Sequence, residues 1–138
     1  MARILVIEDE ASIRSNLVRF IGLEGHEAIE ATNGRSGLQA AQAVTPDLIF
    51  CDVMMPFMTG MEVLAAIQLD ASLRQVPFIF LSASAEPERL EEALRLGADG
   101  YVTKPITAAD LYAALSEHLA HTLRSGEASE EPVASSAP

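Results

Sequence analysis

Ile4-Leu5-Val6-Ile7-Glu8-Asp9-Glu10 sets four apolar residues directly against three acids. A run without polar alternation marks a strand buried on both faces, and the abrupt change to carboxylates marks where it leaves the core. Leu48–Cys51 and Phe78–Leu81 repeat the pattern and end at Asp52 and Ser82. His26–Ala31 mixes acids into the run and reads as a half-exposed edge strand. Tyr101–Val102 is short, and is taken as a fifth strand because it completes the alternation with helical segments. Those segments carry apolar stripes: Ile13, Leu17, Phe20 and Ile21; Leu90, Ala93 and Leu94; Leu111, Leu115 and Leu119. Thr59 and Thr107 each precede an acid by three residues, the signature of a capped helix start, and Gly25, Gly97 and Gly100 fall where helices end and strands begin. Five βα units in about 120 residues predict an α/β fold: an open, doubly wound sheet with helices on both faces.

The 138 residues allow one domain with a modest surplus. Nine basic against twenty acidic side chains give a formal charge of −11, and Lys104 is the only lysine. No basic stripe exists to displace phosphate counterions, so direct nucleic-acid binding is not expected. Nor is a membrane span, since no apolar run approaches roughly 20 residues. A single cysteine, Cys51, excludes an internal disulfide and reads as a small buried strand residue. A soluble cytoplasmic domain is expected over residues 1–122. The stretch 123–138, ending in SGEASEEPVASSAP, reads as a disordered tail or linker stub.

Ligands of open α/β sheets bind beyond the carboxyl ends of the strands. There the chain places Glu8-Asp9-Glu10, Asp52, Ser82 and Lys104-Pro105. Carboxylates gathered so closely repel one another unless a cation intervenes, and the oxygen-only set Glu8, Asp9 and Asp52 suits Mg²⁺. No Gly-rich phosphate loop is present to hold a nucleotide. An aspartate beside a metal can attack phosphorus, with Ser82 and Lys104 binding the phosphoryl oxygens, so the constellation reads as an aspartate phosphoacceptor.

Ile7-Glu8-Asp9-Glu10, Asp52-Val53-Met54-Met55-Pro56, Thr59-Gly60, Ser82-Ala83-Ser84 and Tyr101-Val102-Thr103-Lys104-Pro105 together resemble the response-regulator receiver domains of two-component signalling. The chemotaxis response regulator belongs to that family. The resemblance covers about residues 1–122 and implies a flavodoxin-like five-stranded parallel sheet in the order 2-1-3-4-5. It implies phosphorylation at Asp52, with Lys104 and Ser82 as the other reacting groups. It implies Mg²⁺ held by Asp9, Asp52 and the Met54 backbone carbonyl, Glu8 acting through water. Ser82 and Tyr101 would be the switch residues, and the Lys104–Pro105 bond would be cis. The implied partners are a histidine kinase or histidine phosphotransfer protein, and an effector protein or an output domain outside this sequence. A phosphorylation-dependent homodimer is compatible with the resemblance. The chain would be a regulatory phosphoacceptor, catalysing only its own phosphorylation and dephosphorylation.

Two positions depart from the commoner pattern. The first acid is Glu rather than Asp. Met54 and Ser84 stand where the family tunes phosphoryl lifetime, and an apolar Met54 cannot orient an attacking water, so slow to intermediate autodephosphorylation is expected. The rival readings are an aspartyl-nucleophile phosphatase and a receiver-like scaffold that works without phosphorylation. Glu8-Asp9-Glu10 lacks the Asp-x-Asp pattern of the dehalogenase-like phosphatases, and a scaffold would show a damaged site. Met54, Met55, Met58 and Met61 read as loop and helix-start packing. His118 and His121 read as part of a solvated helix face.

Overall fold

The computed structural model describes residues 1–84 and 86–119. Strands β1 (Arg3–Ile7), β2 (Glu27–Ala31), β3 (Leu48–Asp52), β4 (Phe78–Ser82) and β5 (Gly100–Thr103) form one sheet in the order β2-β1-β3-β4-β5. Every neighbouring pair is parallel. Between them lie α1 (Ala11–Leu23), α2 (Gly34–Val44), α3 (Gly60–Leu69) and α4 (Pro87–Arg95); α5 (Ala108–Ala114) follows β5 and runs on as a π-helical turn over Leu115–Leu119.

The unbroken apolar runs serve two cores at once. Ile4, Val6, Leu48, Phe50, Ile79 and Leu81 face Leu17 and Ile21 of α1 and Leu111, Leu115 and Leu119 beyond β5. Alternate residues, Leu5, Ile7, Ile49, Cys51, Phe78 and Phe80, face Ala41 of α2, Val63, Leu64 and Ile67 of α3, and Ala93 of α4. Each strand therefore buries both its faces, which is why none of the three central runs tolerates a polar residue before its end. β2 has one neighbour and keeps Glu27 and Glu30 exposed, as an edge strand should.

Helix starts follow the expected chemistry at α3 and α5. Thr59 and Glu62, and Thr107 and Asp110, form reciprocal capping boxes. A third box, Asn33 with Ser36, opens α2. That helix shows no large apolar stripe because its buried face is made of Gly34, Gly37 and Ala41. A side-chain carbon at Gly37 would stand 2.5 Å from Ile7 Cδ1, so the small residue lets α2 lie close on β1.

Three expectations need correction. Leu94, placed on a buried stripe, is 51% exposed, because α4 buries only Ala93 against the sheet. His118, read as part of a solvated helix face, has a side chain only 15% exposed, because it lies over Gly100 at the start of β5. His26 lies just before β2 and accepts a hydrogen bond from the Ala2 N–H through Nδ1. The residues expected to form a tail, 123–138, and His121 lie outside the described residues.

Candidate functional site

Four adjacent parallel strands end on the same edge, so residues far apart in the chain meet there. β1 delivers Glu8 and Asp9, β3 ends in Asp52, β4 ends in Ser82, and β5 leads to Lys104. The order reverses between β1 and β3, the switch point at which doubly wound sheets open a crevice.

Of the two acids after β1, Glu8 turns inward and is completely buried, while Asp9 is exposed. Asp52 is 5% exposed. The Lys104 ammonium stands between the two buried carboxylates, 3.1 Å from Glu8 Oε1 and 3.2 Å from Asp52 Oδ1. Backbone N–H groups add to this hold: Glu10 N–H donates to the other Glu8 oxygen, Oε2, at 3.1 Å, and Met54 N–H donates at 3.3 Å to the same Asp52 Oδ1 that faces the ammonium. The Lys104–Pro105 peptide is cis, and the Lys104 N–H donates to the Ser82 carbonyl at 2.7 Å.

Gly60 explains why a threonine–glycine pair follows Asp52. A side-chain carbon at Gly60 would run into the Asp52 carbonyl oxygen, with Val53 Cα only 3.0 Å away. The bare backbone lets α3 start against the end of β3, and the Gly60 N–H closes the loop by donating to the Val53 carbonyl at 2.8 Å.

Electrostatics show a site short of positive charge. Burial, reinforced by the charge of Asp52, pushes the Glu8 carboxyl up to about 7 against the opposing pull of the Glu10 N–H and Lys104. Burial likewise raises Asp52, again against Lys104. For Lys104, burial favours the neutral amine, but Asp52 and Glu8 outweigh it and the ammonium is held above its ordinary range. Cys51 is raised far by burial, so its thiol stays protonated and inert.

One carboxylate oxygen each from Glu8, Asp9 and Asp52 lies within 4.8 Å of the others. Three carboxylates and one ammonium leave a deficit of two positive charges. Glu8 Oε1, shielded from solvent, has the ammonium nearby but no aligned hydrogen-bond donor. An all-oxygen donor set with that deficit fits a hard divalent cation.

The carboxylates open into a cleft of about 580 Å³ lined by Asp9, Asp52, Met54, Ser82, Tyr101 and Lys104 among others. Met54 is 69% exposed at its rim. The Ser82 hydroxyl is engaged with its own loop, donating to the Ser84 carbonyl and accepting from the Ser84 N–H, both at 3.1 Å. Tyr101 is half-buried, with its ring against the core. Sequence reasoning did not single out Arg14, which donates to the Glu8 carbonyl at 2.8 Å. Its signal was a cation in the first turns of α1, where the helix dipole favours acids.

Fold and site define an α/β protein with a cation-competent acidic pocket at the carboxyl edge of its sheet. The chain belongs to the response regulator receiver domain family, whose model matches residues 4–116. It is 34% identical over 119 residues to the phosphate regulon transcriptional regulatory protein PhoB of Pseudomonas aeruginosa, covering 86% of this chain and 52% of that one. To the transcriptional regulatory protein PcoR of Escherichia coli it is 38% identical over 113 residues, covering 82% and 49%. The chain thus spans about half the length of these curated relatives. Among solved structures, the chemotaxis protein CheY4 of Vibrio cholerae superposes with a TM-score of 0.81 at 32% identity, covering 86% of this chain and 98% of that one. No helix among the described residues is long and apolar enough to cross a membrane.

Proposed function

We propose that this receiver domain is a phosphorylation switch in which Asp52 accepts a phosphoryl group from a histidine kinase or histidine phosphotransfer protein. The observation that carries the reading is the meeting of Glu8, Asp9 and Asp52 around the chain's only lysine. An Asp52 carboxylate oxygen attacks phosphorus, forming the new O–P bond as the P–N bond to the donor imidazole breaks. Lys104 stands within reach of the nucleophile and neutralises charge on the phosphoryl oxygens. Asp9, Asp52 and the Met54 carbonyl, with Glu8 through water, are the groups that would hold Mg²⁺. When bound, the ion supplies positive charge opposite the transferring group.

Phosphate on Asp52 competes for the Ser82 hydroxyl, which must leave its bonds to Ser84. Tyr101 lines the same cleft and follows, altering the surface formed by α4, β5 and α5. The receiver is assigned to residues 1–122, with 123–138 as tail or linker, and to the cytoplasm. Its output is an effector protein or a domain beyond this sequence, with a phosphorylation-dependent homodimer as one form of the signal. The chain acts as a phosphoacceptor and not as a turnover enzyme.

Incubation with acetyl phosphate tests this. The expected result is a gain of one phosphoryl group that depends on Mg²⁺ and stops on chelation. Steady hydrolysis of a small phosphomonoester would replace the reading with the phosphatase one. Failure to take up either phosphoryl or a beryllofluoride mimic would leave the scaffold reading.

A further inference from the structure

Arg14 is the fourth residue of α1, close to the helix end whose dipole favours anions. Its side chain is only 16% exposed, so its charge is not simply solvated. The guanidinium works as a fork. Nη1 donates to the Glu8 carbonyl at 2.8 Å, and Nε pairs with Glu30 Oε1 at 3.2 Å, on the edge strand β2. On the other side of the same residue, the Glu8 N–H donates to the Ala31 carbonyl at 3.0 Å. Both backbone groups of Glu8 are therefore held, one through β2 and one through α1.

Asp9 has no comparable restraint of its own. Its side chain is exposed and takes no hydrogen bond or ion pair among the described residues. With no partner to hold its torsions, the reach of its carboxylate depends on where the peptide that carries it points the Cα–Cβ bond. We propose that Arg14, anchored by Glu30, is a positioning residue for the cation site: it fixes the Glu8–Asp9 peptide and so aims the Asp9 carboxylate at Asp52. Orientation of ligating carboxylates by such outer partners is a general feature of metal sites. The inference rests on the Mg²⁺ reading proposed above.

The sign of the effect separates positioning from bulk charge. Deleting a cation beside an acidic pocket should, by Coulomb's law alone, strengthen binding of another cation. Loss of positioning weakens it instead. Calorimetric titration of the whole chain with MgCl₂ is therefore expected to show about tenfold weaker binding in Arg14→Met. Arg14→Lys should recover only part of the loss, because an ammonium cannot span the carbonyl and Glu30 with one planar fork. Arg14→Gln, which removes the same charge, carries the test if Arg14→Met does not fold; Glu30→Gln, an exposed change, should weaken binding a few-fold. In the Arg14→Met background the same change should do nothing further. Unchanged or tighter Mg²⁺ binding in Arg14→Met overturns the proposal, even if its melting temperature falls. Additive losses in the double variant overturn it as well. Absence of Mg²⁺ binding in the wild-type chain would instead overturn the function on which it rests.

Discussion

Replacing Glu8 by Gln should change how stability responds to pH, and the structure gives the sign. Glu8 has an ordinary value of 4.5 and is raised to about 7 by burial and by Asp52. Between those limits the folded chain keeps a proton that the unfolded chain has released. Stability therefore falls as pH rises through this window and stays low above it. The full gap corresponds to roughly 3 kcal/mol, since each tenfold change in proton affinity is worth about 1.4 kcal/mol. Gln has the same shape and no charge to desolvate. In chelator, urea unfolding at pH 5 and pH 8 should show the wild type losing about 2–3 kcal/mol more than Glu8→Gln across the interval. At pH 8 the variant should be the more stable of the two. Mg²⁺ should narrow that difference, because a bound cation stabilises the ionised form. Parallel stability–pH profiles in chelator would refute the claim that Glu8 is buried under strain of charge.

Lys104→Ala removes the group that stands 3.1 and 3.2 Å from the two buried carboxylates. The circular dichroism spectrum should remain that of a folded protein while phosphorylation by acetyl phosphate slows by roughly 10²-fold; wild-type rates would contradict the role given to the ammonium. Gly60→Ala forces a methyl group against the Asp52 carbonyl and should lower stability by about 1–3 kcal/mol in denaturant unfolding. Because the displaced atom belongs to Asp52 itself, phosphorylation should fall with it, and an unaltered unfolding curve would show that α3 is not pressed on β3. Phe57 adopts a left-handed φ of 70° and is fully exposed. Phe57→Asn, a residue that tolerates this region, should raise stability by about 1 kcal/mol; a loss would mean that the ring makes a contact worth more than the backbone penalty.

The sheet and its crevice were legible because their causes are local. Strands buried on both faces leave unbroken apolar runs, and the first chemistry-bearing residue after each run marks the edge where ligands bind. Thr59 and Thr107 announced their helices for an equally local reason, a side chain reaching its own third neighbour. Helix α2 was implied only by the alternation of strands and helices, because its buried face consists of Gly34, Gly37 and Ala41, which give no large apolar stripe. Leu94 was misplaced because periodicity tells which residues share a face, not how much of that face the sheet covers. The division of labour between neighbours Glu8 and Asp9, one buried and one exposed, depends on Lys104 arriving from β5. Arg14 belongs to the same class: its partners lie on β1 and β2, and only the folded chain brings them to it.

The central claim is that Asp52 is the residue that takes the phosphoryl group. Intact-mass measurement of the wild type and Asp52→Asn after acetyl phosphate and Mg²⁺ tests it most directly. The wild type should gain one phosphoryl group, labile in base, and the variant should gain none. An equal gain in Asp52→Asn would contradict the claim.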